Sequence, residues 1–286
     1  MKGLNNLRNT CYFNSCLQCL LHTPQLTNYF LKRTYSGDCE FTQEYSNLVK
    51  TFWNSSDTKI LNTSNILKYF RKFYNNFDNS LEHDSQECLL GILDLLHKGT
   101  KGIKLNITDE PKNSIWSKKN TSIIKSIFYG QLCKNVIYPG GKSENFENFS
   151  NFLLFPQKNN MPLGDIIKES FKDVVLSDYV DDNGKKYNCS VLKTRTEHVP
   201  PICVFCFNMY IRKVLVTVPE QIVINGVKYD LYSLCEHMGN RNGGHYIAYT
   251  KVGGEWWLKD DEVSIKKEPK LTNYFYFCMF KRTPLS

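Results

Sequence analysis

The spacing of apolar residues changes character near residue 122, and that change constrains the fold more than any single motif. Before it, hydrophobic positions recur at intervals of three and four. They do so in SCLQCLLHTPQLTNYFLKR (broken at Pro24), in EYSNLVKTFWNSS, and in TSNILKYFRKFYNNF with Thr63 or Ser64 as N-cap. In DSQECLLGILDLLHKG, Leu89, Leu90, Ile92, Leu93, Leu95 and Leu96 crowd one broad face, and Gly99 is the expected C-cap. Residues 100–122 are polar and match neither pattern. After them, SIIKSIFYGQL and VIYPGG bring β-branched and aromatic residues with turn signals. PPICVFCFNMYIRKVLVTVPEQIVI, YDLYSLCEH, GHYIAYTKV, EWWLKDD and NYFYFCMFKR read as strands joined by short turns. Helices first and strands second predict an α+β domain, a helical lobe facing a sheet lobe across a cleft.

The chain has 286 residues, 41% of them hydrophobic, enough for a substantial core. No run approaches the ~18 apolar residues of a membrane span, and MKGLNNLRNT lacks the apolar region of a signal peptide. The expected setting is intracellular, cytoplasmic and/or nuclear, with no membrane partner. Eleven cysteines, an odd number without scaffold-like spacing, suit reduced core thiols there. The net charge of +8 is scattered, with no basic stripe interleaved with aromatics. That argues against a nucleic-acid partner and for solubility plus weak attraction to acidic surfaces.

Against that background GLNNLRNTCYFNSCLQCLL stands out. Cys11 falls between an Asn-rich turn and an apolar helix. A sulfur at a helix N-terminus sits at the positive end of the macrodipole, which favours the reactive thiolate. The turn before it offers backbone N–H groups and the Asn6 amide, the parts of an oxyanion hole. On this stretch alone, a buried thiol that merely starts a helix is an equal alternative. A nucleophile needs a base, and there are six histidines. His22 and His97 lie on or at the end of helices, as ordinary surface or cap residues, and His198 precedes VPP in a loop. His237 and His245 flank MGNRNGG, and His245 opens a strand beside flexible glycines, a suitable place for a general base. One hairpin later, GGEWWLKDDEVS supplies Asp260 and Asp261, and strand pairing can bring one of them to His245 as the orienting carboxylate. By itself KDDE is a solvated turn; with Cys11 and His245 it completes a nucleophile, base and orienter.

These residues also carry a resemblance to the ubiquitin-specific proteases. GLNNLRNTCYFNSCLQCL is similar to their cysteine box, Gly-Leu-x-Asn-Leu-Gly-Asn-Thr-Cys-Tyr-Met-Asn-Ser-x-Leu-Gln. YDLYSLCEHMGNRNGGHYIAYTKVGGEWWLKDDEV resembles their histidine box, and EHDSQECLLGILDLLH their Gln-Gln-Asp-Ala-x-Glu-Phe-Leu helix. The blocks come in the family's order and span nearly the whole chain. The resemblance implies one catalytic domain over residues 1–286, of papain-like cysteine protease fold. Its helical thumb would cover about 1–122, and a β-sheet palm and short fingers about 123–286. It implies a deubiquitinase that cuts after the C-terminal glycine of ubiquitin. Cys11 matches the nucleophile, His245 the base, Asp260 the residue orienting it, Asp261 its partner and Asn6 the oxyanion donor. Asp84 and Glu87 match acidic positions that hold the tail Leu-Arg-Leu-Arg-Gly-Gly, whose arginines pair well with carboxylates. Gly243, Gly244 and Tyr246 are expected to line a channel admitting only diglycine. The expected partners are ubiquitin and ubiquitinated proteins, and the expected state is a monomer.

The chain departs from the pattern at several positions. Arg8 stands where the family has Gly, Glu82–His83 replace two glutamines, Cys88 replaces an aromatic, and Lys259 replaces Phe before the Asp pair. The zinc-binding Cys-x-x-Cys pairs of many relatives are not matched: Cys133 and Cys189 are each alone. Cys203 and Cys206 have the spacing but sit in an apolar strand, where residues three apart face opposite sides. No metal or other cofactor is therefore expected, and YVDDNGKKYNC is the expected finger hairpin. A silent ubiquitin-binding module and a protease for a ubiquitin-like modifier remain open readings.

Overall fold

The computed structural model describes residues 1–56, 59–78, 81–103, 121–209, 213–240 and 243–284. Most of the polar stretch before residue 122, two residues of the glycine loop before His245, and part of VFCFNMYIRK lie outside the described residues. Five helices come first: α1 (Cys11–Leu21), α2 (Pro24–Lys32), α3 (Glu40–Asn54), α4 (Ser64–Phe73) and α5 (Ser85–Gly99). Pro24 occupies the first turn of α2, where its missing N–H costs nothing. α1 is buried on every side, as a helix with apolar residues all round requires. Two of its polar side chains bond backbone carbonyls: Ser15 Oγ donates to the Cys11 carbonyl at 2.6 Å, and Gln18 Nε2 to the Lys2 carbonyl at 3.1 Å.

SIIKSIFYGQL, expected to start the sheet region, instead begins as a helix, α6 (Ile123–Phe128), and becomes strand only from Gly130. Ser122 caps α6, accepting the Lys125 N–H at 2.9 Å. All four apolar residues of α6 are buried, and it packs on α2 and α5. Burial against neighbouring helices overrides the β propensity of its three isoleucines. The helical layer thus runs past residue 122. A further helix, α7 (Leu163–Ser170), buries Leu163 and Ile166 in the second core described below.

The central sheet has eight strands: β1 (Phe152–Leu154), β2 (Ile202–Phe207), β3 (Gln221–Ile224), β4 (Val227–Asn240), β5 (Gly243–Val252), β6 (Glu255–Asp260), β7 (Val263–Lys266) and β8 (Phe275–Arg282). Their order is β7-β6-β5-β4-β8-β2-β1, with β3 paired to the start of β4. Two cores lie on its two faces. The larger holds α1–α6 against Val204, Cys206, Tyr246, Ala248 and Phe277. The other takes Cys203, Phe205, Ile247, Tyr249 and Leu258. Cys203 and Cys206 thus face opposite cores, as strand alternation demands. A separate four-stranded sheet orders residues 141–149, 130–138, 190–198 and 174–176. Beside it residues 179–187 make a small hairpin whose turn is closed by Asp181, which accepts the N–H groups of Asn183 and Lys185. The mixed helix and sheet architecture is a papain-like fold.

Gly99 is not the left-handed cap expected of it. It ends α5 in helical conformation, Thr100 follows as C-cap, and the left-handed glycine comes later, at Gly102. Gly99 is needed for close packing: a Cβ there would collide with Oγ1 and Cβ of Thr42 on α3. Gly99→Ala is therefore expected to lower stability by about 1–3 kcal/mol through overpacking, in spite of the better helix propensity of alanine. Equilibrium denaturant unfolding checks this; an unchanged midpoint would mean that α3 shifts freely.

Candidate active site

α1 begins at Cys11 itself, with Thr10 as the N-cap residue. The chain enters through two successive left-handed residues, Arg8 at φ 65° and Asn9 at φ 49°. Asparagine tolerates that region, whereas for arginine it costs about 1–2 kcal/mol. The turn is held from within. Thr10 Oγ1 accepts the Leu7 N–H at 2.9 Å, and Asn6 Oδ1 accepts the Thr10 N–H at 3.3 Å. Cys11 is 3% exposed at the head of the helix.

The base is positioned by a hairpin. Gly253 and Gly254, with φ of 59° and 86°, make the two-residue turn between β5 and β6. The turn fixes a register in which Ala248 opposes Lys259. Along β5, His245 continues the row of Ile247 and Tyr249; along β6, Asp260 continues the row of Leu258, on the same face. His245 Nε2 and Asp260 Oδ1 lie 2.6 Å apart. Cys11 is the largest influence on the imidazole. It pushes the His245 pKa up to about 9, burial opposes the shift, and Asp260 adds to it. His245 is thus an imidazolium at neutral pH, the kind of neighbour that favours a thiolate.

Asp261 does not join Asp260 at the ring. Its backbone turns left-handed, at φ 46°, and its carboxylate faces the cysteine turn. Oδ2 accepts from Asn6 Nδ2 at 2.6 Å, and Oδ1 accepts from Asn14 Nδ2 at 2.7 Å. An amide nitrogen carries two protons, so Asn6 keeps one N–H to donate elsewhere. The adjacent carboxylates therefore have different partners: Asp260 holds His245 and Asp261 holds Asn6.

A cleft of about 560 Å³ lies between α5 and the sheet, with Glu82, Asp84 and Glu87 on one wall and His237, Tyr246 and Tyr276 on the other. Asp84 is the N-cap of α5, its Oδ1 accepting the N–H groups of Gln86 and Glu87 at 2.6 and 3.1 Å. Glu87 Oε1 accepts from Asn76 Nδ2 at 3.0 Å. Tyr246 is 5% exposed and packs its ring against His237 and Tyr276. The two glycines before His245 differ. A Cβ on Gly243 would meet nothing closer than Glu82 Oε1 at 3.8 Å, while one on Gly244 would collide with His237 Nε2 and the Met238 carbonyl. The narrowness that requires glycine belongs to Gly244.

Three residues at or near the site carry more than the sequence reading assigned them. Asn14, a polar residue three positions after Cys11 in an apolar helix, is one of the two amides on Asp261, and a buried amide in such a run is the signal that could have found it. His237 is held by Lys213, whose Nζ donates to Nδ1 at 3.1 Å, to the His237 carbonyl at 2.8 Å and to the Gly239 carbonyl at 2.7 Å. Burial first, then Lys213 and His245, push its pKa down to about 4. The ring is therefore neutral, with its proton on Nε2. His22, expected at the surface or in a cap, is instead 6% exposed, wedged against Phe52 and Trp53, with its pKa pushed down to about 3 mainly by burial. α3 covers this end of α1, which an apolar pattern alone does not reveal.

All eleven cysteines are unpaired. Cys133 is buried and Cys189 exposed. Among the described residues, the one cluster of metal-ligating type is His245, Asp260 and Asp261, which the hydrogen bonds above already employ.

A helix-heading thiol, an imidazole whose charge it influences and a carboxylate bonded to that imidazole are the parts a thiol hydrolase needs. Residues 2–278 match the ubiquitin carboxyl-terminal hydrolase family, and the chain belongs to it. It is 26% identical over 315 residues to human ubiquitin carboxyl-terminal hydrolase 2, covering 91% of this chain and 51% of that protein. Against ubiquitin carboxyl-terminal hydrolase Usp2 of Drosophila melanogaster it is 25% identical over 333 residues, 98% of this chain and 35% of that one. The chain thus spans about half or less of the length of these curated relatives. In fold it matches the structure of the SAGA Ubp8/Sgf11/Sus1/Sgf73 DUB module bound to ubiquitin aldehyde, with a TM-score of 0.81 and 19% identity, over 100% of this chain and 70% of that one.

Arg8 keeps the backbone shape of the glycine it replaces and bears the strain. Arg8→Gly is expected to raise unfolding stability by about 1 kcal/mol, the relief of the left-handed strain less the added unfolded-state entropy. A thermal or denaturant melt checks this, and a loss of stability would show that the arginine side chain contributes more than its backbone costs.

Proposed function

We propose that this chain is an active thiol-dependent deubiquitinase that hydrolyses the isopeptide or peptide bond after the C-terminal glycine of ubiquitin. The observation that carries the proposal is the 2.6 Å His245–Asp260 pair, with Cys11 at the head of α1 as the largest influence on its imidazole. The Cys11 thiolate attacks the glycine carbonyl. The resulting oxyanion takes the remaining Asn6 N–H and the N–H groups at the start of α1. His245 then gives its proton to the leaving amine, and the carbon–nitrogen bond breaks to leave a thioester. Water, deprotonated by the neutral imidazole, attacks the thioester and frees Cys11. Asp260 keeps the ring in the orientation both steps need.

The substrate class is supported by the cleft and by the family. Glu82, Asp84 and Glu87 set three carboxylates on one wall of a protein with net charge +8, which suits a tail carrying arginines. The relatives are named for ubiquitin hydrolysis, and the matched DUB module holds ubiquitin aldehyde. We group residues 1–286 as one catalytic domain acting as a monomer on ubiquitin and ubiquitinated proteins. Eleven unpaired cysteines suit a reducing compartment, cytoplasmic or nuclear; among the described residues no helix is long and apolar enough to cross a membrane.

Incubation with a ubiquitin C-terminal electrophile, followed by intact mass and peptide mapping, is expected to find one adduct, on Cys11, absent from Cys11→Ala. Ubiquitin binding without an adduct would leave a silent binding module, and an adduct formed only by a ubiquitin-like electrophile would move the chain to that modifier. The divided roles of the carboxylates are tested by rate and pH together. Asp260→Ala is expected to cost about 10²–10⁴-fold in kcat. It should also move the alkaline limb of the profile to lower pH, because the lost carboxylate is one of the groups that raise His245 to about 9. Asp261→Ala is expected to cost less and to leave that limb in place. The reverse order would make Asp261 the orienting residue.

A further inference from the structure

We propose that Glu82 is a clasp across the channel to Cys11: its carboxylate occupies the Gly244 N–H in the free enzyme and yields it when a peptide tail enters. The inference rests on the function proposed above and concerns how that site admits its substrate. Glu82 lies just before α5, on the helical wall of the cleft, while Gly244 lies at the start of β5, one residue before His245 and beside the His237 ring of the sheet wall. The Gly244 N–H donates to Glu82 Oε2 at 2.7 Å. The bond therefore ties one wall to the other at the catalytic end of the cleft, and its length is that of a charge-assisted hydrogen bond.

The two partners differ in freedom. Gly244 is pinned: the His237 ring fills the space its side chain would take, and Lys213 holds that ring by one bond to Nδ1 and the adjoining backbone by two more, to the His237 and Gly239 carbonyls. Glu82 is exposed, on a side chain with several rotatable bonds, so it is the partner able to leave. Its oxygens also lie over Gly243, 3.8 and 3.9 Å from where a Cβ would be. The carboxylate thus sits beside the residue that precedes His245, where an extended diglycine bound for Cys11 would pass. The exchange conserves hydrogen bonds. A backbone carbonyl of the tail is an equivalent acceptor for the Gly244 N–H, and a tail arginine gives the released carboxylate a new partner beside Asp84 and Glu87. A glutamine here would present a neutral and weaker acceptor, so the clasp is a property of the glutamate.

The test compares wild type, Glu82→Gln and Glu82→Ala in three measurements. These are Cys11 alkylation by iodoacetamide, which needs no channel, and the maximal acylation rates by a ubiquitin C-terminal electrophile and by a Leu-Arg-Gly-Gly electrophile. Loss of the clasp is expected to raise both maximal acylation rates by about 2- to 10-fold in Glu82→Ala, the range that one net hydrogen bond supports. Glu82→Gln should fall between, with alkylation unchanged in all three. Unchanged or slower acylation with normal alkylation overturns the clasp. Slower alkylation together with slower acylation overturns it differently, by making Glu82 a support for His245. The ubiquitin reading fails separately: wild type would then alkylate normally, react with the short peptide and ignore ubiquitin, and the Glu82 comparison would still be read on the peptide.

Discussion

The site depends on one carboxylate that spans the boundary between helices and sheet. Asp261 accepts from Asn6 on the cysteine turn and from Asn14 inside α1, while its own carbonyl accepts the Leu4 N–H at 2.8 Å. Gly3 allows the approach, since a Cβ there would strike the backbone of Glu262. These contacts bring the N-terminal segment against the end of β6, and with it the head of α1 against the residue after Asp260. Together with the packing of α1 on β5, they set the separation of Cys11 from His245 and Asp260. Catalysis is sensitive to misplacements of about 1 Å, so a stitch of short hydrogen bonds at this seam is what the chemistry requires.

Behind the seam the structure accepts a buried cation. Lys259, one residue before Asp260, is 2% exposed, and burial pushes its pKa down to about 7. Its Nζ donates to Ser264 Oγ at 2.8 Å and lies 5.7 Å from the rings of both Phe52 and Trp257. Strand alternation sends it toward α3 on the helical face while Asp260 turns to His245, so the lysine leaves the triad geometry untouched. His22, close by, stays neutral and avoids a second buried charge. A phenylalanine would fill the same space without desolvating an amine, so the lysine is a local cost borne by the aromatic packing around it.

The sequence made the architecture legible where periodicity was strong. The helices of the first hundred residues and the hairpin carrying His245 and Asp260 follow from spacing and from the Gly253–Gly254 turn. It was less informative where tertiary contact overrides local preference. Ile123, Ile124 and Ile127 have strand-like side chains, yet they form a helix because α2 and α5 bury them. Gly99 resembles a cap and is a packing glycine. His22 lies buried because α3 folds over α1, a long-range contact that no local pattern encodes. Within the site, Cys11, His245 and Asp260 were legible through chemistry and spacing. The task of Asp261 was not, because it depends on a left-handed turn at the strand end. Asn14 was hidden in an apolar run, and Glu82 showed only as a departure from a pattern.

The two walls of the cleft differ in a way that bears on recognition. The α5 side carries Glu82, Asp84 and Glu87, and the sheet side carries the Lys213-held, neutral His237 with Tyr246 and Tyr276. Carboxylates concentrated on one wall of a chain with net charge +8 run against the protein's overall field, so their pull on a cationic ligand is local to the cleft. The facing aromatic wall offers area and shape, with Gly244 as its one place of close backbone approach. An extended chain with arginines toward one side and no side chains at its end satisfies both walls.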